Sequence, residues 1–110
     1  METGVCLVLC TAPDEASAER IVRPLLEERL IACANLLPRA RSLYWWRGQV
    51  EEASEVVLLM KTAADRVEAL RQRLPQLHPY DVPELLVVPV EGGLEPYLAW
   101  VVSETRNRSA

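Results

Sequence analysis

With 110 residues, half of them apolar and a quarter charged, the chain has the balance of one globular domain spanning residues 1–110. A formal net charge of −4 argues against a nucleic-acid surface, and no apolar run approaches the ~20 residues of a membrane span. The opening Met1-Glu2-Thr3-Gly4 lacks a basic segment followed by an apolar run, and the three cysteines are an odd count, which together lead us to expect reduced thiols in the cytoplasm.

Residues 4–11 (GVCLVLCT) are apolar on both strand faces, which predicts a central strand covered on both sides. Ala12-Pro13-Asp14-Glu15 then announces a helix, with Pro13 at its first position and the acids where the helix dipole favours them. Ala18, Ile21, Val22, Leu25, Leu26 and Leu30 form one apolar face at helical spacing, so the helix is expected to continue, kinked, through Pro24.

Residues 32–62 read as a long hairpin. Its arms carry Val, Leu, Tyr and Trp and run well past the usual ~5–6 residues of a strand. Arg47-Gly48-Gln49 is the expected three-residue loop, with Gly48 at positive φ. Pro38 marks a bulge or an edge. A hairpin this long cannot be covered by the rest of a short chain, so something outside the chain should cover its far end. Tyr44, Trp45 and Trp46 concentrate half of the aromatics near the tip and suit a subunit interface, or alternatively a ligand pocket. Arg39 and Arg41 are expected to pair with Glu51, Glu52 or Glu55 across the hairpin, rather than to hold an anion between subunits.

A second helix should open at residues 62–65, capped by Thr62, with Val67, Leu70 and Leu74 inward. A loop stiffened by Pro79 and Pro83 follows. Residues 85–90 should form a short buried strand, broken by Gly92-Gly93. Leu94, Tyr97, Leu98, Val101 and Val102 then space a last helix. The order βαββαβ plus a final helix is an α+β, ferredoxin-like split sandwich with an extra C-terminal helix.

Read in order, LCTAPDEA (9–16), ERLIACANLLP (28–38), SLYWWRG (42–48), LLMKT (58–62), HPYDVPELL (78–86) and YLAWV (97–101) resemble the CutA family of divalent-cation tolerance proteins. The resemblance covers residues 4–104 and implies a compact homotrimer, similar in architecture to the PII signalling proteins, that binds copper or other divalent metals. It points to Cys10 and His78 as metal ligands. Relatives often carry a second histidine where Leu77 stands here. One thiolate and one imidazole suit copper(I) but are too few for a closed zinc site. The competing reading makes Cys6, Cys10 and Cys33 buried core residues, and makes the His78 loop a rigid connector.

Cys6 and Cys10, on one strand, are too far apart to bridge. A Cys–His nucleophile pair, Cys10 or Cys33 with His78, finds no orienting third group, so no enzyme is expected. The alternative function is a PII-like signalling trimer that binds a small anionic effector and acts through a protein partner.

Overall fold

The computed structural model describes residues 3–106. The elements follow as β1 (Val5–Ala12), α1 (Glu15–Glu27), β2 (Cys33–Trp46), β3 (Gln49–Ala63), α2 (Val67–Leu77), β4 (Leu86–Pro89) and α3 (Glu95–Glu104), with a 3₁₀ turn, Ala64–Arg66, leading into α2. The strands lie in the order β2-β3-β1-β4, every neighbouring pair antiparallel. This is the ferredoxin-like arrangement expected from the element order.

α1 starts two residues later than the sequence suggests. Asp14 is the N-cap, and its Oδ1 accepts the Ser17 backbone N–H at 2.7 Å, so Pro13 lies just outside the helix. Pro24 sits within α1, which runs on to Glu27. The missing donor at Pro24 is outweighed by the burial of Ala18, Ile21, Val22 and Leu25.

The helix ends in paired carbonyl caps. Leu30 N–H reaches Leu25 O at 2.9 Å and Arg29 N–H reaches Leu26 O at 3.1 Å, with Arg29 at φ 61. This is a Schellman ending in which an arginine takes the left-handed position usually given to glycine.

α1, with Leu70 and Leu74 of α2, packs on Val8, Cys10 and Ala12 of β1 and on Val56, Leu58 and Met60 of β3. Thr62 does not cap α2. It lies in β3, fully buried, and its hydroxyl donates to Leu30 O at 2.7 Å. The 3₁₀ turn begins two residues beyond it and has no side-chain cap.

The second face of the sheet is not covered as the sequence predicts. Leu7, Leu9 and Thr11 of β1 are only half-buried. α3 crosses this face at one end: the Tyr97 hydroxyl lies 3.5 Å from Cys33 Sγ, and Cys33 pairs with Lys61 opposite Leu7. Of the apolar residues expected on the inner side of α3, only Val101 is fully buried; Leu94 and Tyr97 are exposed. β4 was expected to be buried, yet each of its four residues is exposed. As an outer strand it pairs with β1 alone and leaves its other edge open.

The hairpin turn is tighter than expected. Trp46 pairs with Gln49, leaving a two-residue loop of Arg47 and Gly48 at φ 51 and 81. Both central residues at positive φ define a type I′ turn, whose twist matches that of the strands. The register shift between Leu37 and Ala40 is the bulge expected at Pro38, and Arg39 within it has φ 63. β1 pairs with β3 only from residue 56 onward, so residues 49–55 of β3 have β2 as their sole strand partner. This overhang leaves Leu43, Trp45 and Val50 exposed on one side, Trp45 by 73%.

Candidate functional site

Because β4 lies beside β1, the loop leading from α2 to β4 returns past the end of β1. His78, at the C-cap of α2, is buried there. Its Nδ1 accepts the Tyr80 backbone N–H at 3.1 Å, and its Nε2 lies 2.7 Å from Thr11 O. An amide can only donate, so Nδ1 is the acceptor and the ring proton sits on Nε2, donated to the carbonyl. Cys10 Sγ lies 3.6 Å from the same Thr11 oxygen. The structure therefore brings Cys10 and His78 together on one carbonyl.

The pair as folded does not fit a bound metal. Burial, reinforced by the Glu84 carboxylate, pushes the Cys10 thiol up to about 12, and both ring nitrogens of His78 are engaged. Metal binding needs a thiolate and a free imidazole lone pair. Cys6 is buried in β1 and Cys33 half-buried beside Tyr97, and all three thiols are free. Leu77 packs against the core. Among the described residues no group of three or more His, Cys, Asp or Glu side chains converges as a metal site.

Beside this pair, a cleft of about 820 Å³ opens between the hairpin overhang and residues 79–84. Tyr44 and Trp46 contribute from β2, Glu55 from β3, and Tyr80, Asp81 and Glu84 from the loop. Tyr80 OH donates to Glu55 Oε2 at 2.7 Å, tying loop to hairpin. Burial, then the Glu55 contact, pushes the Tyr80 phenol well above its ordinary range.

Arg41 pairs with Glu52 as the sequence suggests, through Nε at 2.7 Å and Nη2 at 3.1 Å. Glu55, one of the three acids offered as partners across the hairpin, is buried and bonded to Tyr80. One signal was available. Glu55 shares strand parity with Val57 and Leu59 and stands where that face turns apolar, although Glu51 and Lys61 share the same parity.

The sheet order, the two helices on one face and the long β2–β3 hairpin define a ferredoxin-like, PII-like class of protein. The model of the family described as CutA1 divalent ion tolerance protein matches residues 6–104, and the chain belongs to that family. The divalent-cation tolerance protein CutA of Pectobacterium atrosepticum is 53% identical over 100 residues, covering 91% of each chain. The crystal structure of CutA from Xylella fastidiosa superposes with a TM-score of 0.91 at 47% identity, over 94% of this chain and 99% of that one. A third relative, described as the periplasmic divalent cation tolerance protein CutA from Archaeoglobus fulgidus, has a TM-score of 0.89 at 33% identity, over 93% of this chain and 99% of that one.

Proposed function

We propose that the chain is one CutA-type domain that assembles as a cytoplasmic homotrimer and serves divalent-cation tolerance by binding metal, not by catalysis. The observation that carries the assembly is the overhang. Residues 49–55 have no third strand beside them, and Leu43, Trp45 and Val50 are exposed on it. Leu37, Leu86 and Val88 add exposed apolar surface on the sheet. Cyclic closure of three copies would cover these groups and the open edges together.

Family membership supports the metal role. The free thiols support the cytoplasm, and among the described residues no helix is long and apolar enough to cross a membrane. The protonated Cys10 thiol speaks against a nucleophilic cysteine.

For the metal, the proposed ion is copper and the proposed ligands are Cys10 and His78. They become available only when the hydrogen bonds to Thr11 open, so binding is weak. Calorimetric copper titration of the wild type against Cys10→Ser and His78→Ala tests this. Both variants should lose affinity, and equal affinity in all three proteins removes these ligands from the proposal.

The second reading is a PII-like trimer that binds a small effector and signals through a protein partner. The cleft favours it. An anionic effector there would have to draw Arg41 away from Glu52, and a thermal-shift screen of nucleotides and small anions tests that.

A further inference from the structure

We propose that the cleft between the hairpin overhang and the 79–84 loop is a binding site for a small organic cation, an amine or amidine carried on an apolar body. The central observation is Glu55. Its side chain is only 9% exposed, faces the cleft, and holds a single hydrogen bond, from the neutral Tyr80 hydroxyl. Among the described residues no cationic side chain forms an ion pair with it. A buried charge is ordinarily met by an opposite charge, and here the protein supplies none.

The surroundings fit the same ligand. Asp81 and Glu84 add negative charge to the cleft wall, and the one arginine on it, Arg41, is neutralised by its two bonds to Glu52. Tyr44, Trp46 and Tyr80 supply aromatic surface. Trp46 already attracts a cation: the Arg47 guanidinium carbon lies 5.4 Å from its ring centroid. The volume of about 820 Å³ lies within the range of small-molecule sites. The carboxylates do not converge as a cluster able to hold a bare metal ion, which favours a cation with a body to stack.

The hairpin aromatics of the site face away from most of the surface assigned to assembly. Tyr44 and Trp46 lie on the strand face opposite Trp45 and Val50, which belong to the side assigned above to neighbouring copies, while Leu43 of that side also reaches the cleft wall.

The test is calorimetric titration of the full chain with benzamidinium, followed in parallel by tryptophan fluorescence, with benzoate as the charge-reversed control and zinc and copper(II) chlorides as separate arms. Benzamidinium should bind saturably and change the fluorescence, and benzoate should not. Glu55→Gln keeps the acceptor for Tyr80 and removes the charge; it should weaken binding by about tenfold or more, the scale of a charge-assisted hydrogen bond. Trp46→Leu, at an exposed position, should weaken binding without unfolding the protein, as thermal melts would confirm. The proposal is overturned if benzoate binds as well as benzamidinium, or if both variants bind like the wild type. It is equally overturned if the assembled protein shows no saturable benzamidinium binding, as when a neighbouring copy fills the cleft, or if zinc or copper competes for the same Glu55-dependent site. Metal binding that depends on Cys10 and His78 and not on Glu55 would leave the cation-tolerance reading standing by itself.

Discussion

Cys10 carries its proton far above the ordinary thiol value of 9.0, up to about 12, because it is enclosed by the core and faces the Glu84 charge. The folded state thus holds this proton more tightly than the unfolded chain. Its contribution to stability is complete below pH 9.0 and is lost as pH rises from there towards about 12. In urea unfolding above pH 9.0, wild type should lose stability more steeply than Cys10→Ala, whereas parallel slopes would show that burial does not control this thiol. Thr62 makes a different kind of buried contact. Thr62→Val keeps the shape but strips Leu30 O of its donor, and should cost about 1–3 kcal/mol in chemical denaturation.

The elements are held by their ends and irregularities as much as by their faces. α1 stops because Arg29 adopts the left-handed conformation, and the arginine is anchored there by Glu104, at 2.8 Å from its Nη1. β2 contains a similar residue without that support. Arg39 sits exposed in the bulge at φ 63, a conformation that asparagine tolerates better. Arg39→Asn should stabilise the protein by about 0.5–1 kcal/mol, read as a raised melting temperature. A lowered one would mean that the arginine side chain contributes more than its backbone costs. The bulge also aims the overhang, because it falls where β3 leaves β1 and continues with β2 alone.

For the whole molecule the decisive feature is apolar surface that one copy does not cover. Trp45→Glu places a charge in the middle of the exposed side formed with Leu43 and Val50. It should shift the protein to smaller species by light scattering at micromolar concentration, with the far-UV circular dichroism of the fold retained. A monomeric wild type under the same conditions would contradict the proposed trimer. Cleft binding of benzamidinium should survive Trp45→Glu, since Trp45 lies on the other side of the strand from Trp46.

The sequence alone determined the local matters. Helical spacing located α1 and its buried stripe, strand alternation and Gly48 located the hairpin, Pro38 located the bulge, and the order of elements predicted the sheet. Where sequence reasoning missed, the missing information was tertiary. The apolar runs at β1 and β4 do not say whether the cover comes from the same chain, and in one copy β4 is an exposed edge. Thr62 reads as a cap until the strand carries it under Leu30. Cys10 and His78 lie 68 residues apart in sequence, and only the β1–β4 pairing, with the loop returning past Thr11, brings them to one oxygen. Glu55 reads as one acid among several on a polar arm. Its burial, its bond to Tyr80 and the cleft it faces exist only because a loop more than twenty residues further along folds back over the hairpin: patterns of single residues encode which face of an element is apolar, while contacts between distant segments are set by how those elements pack.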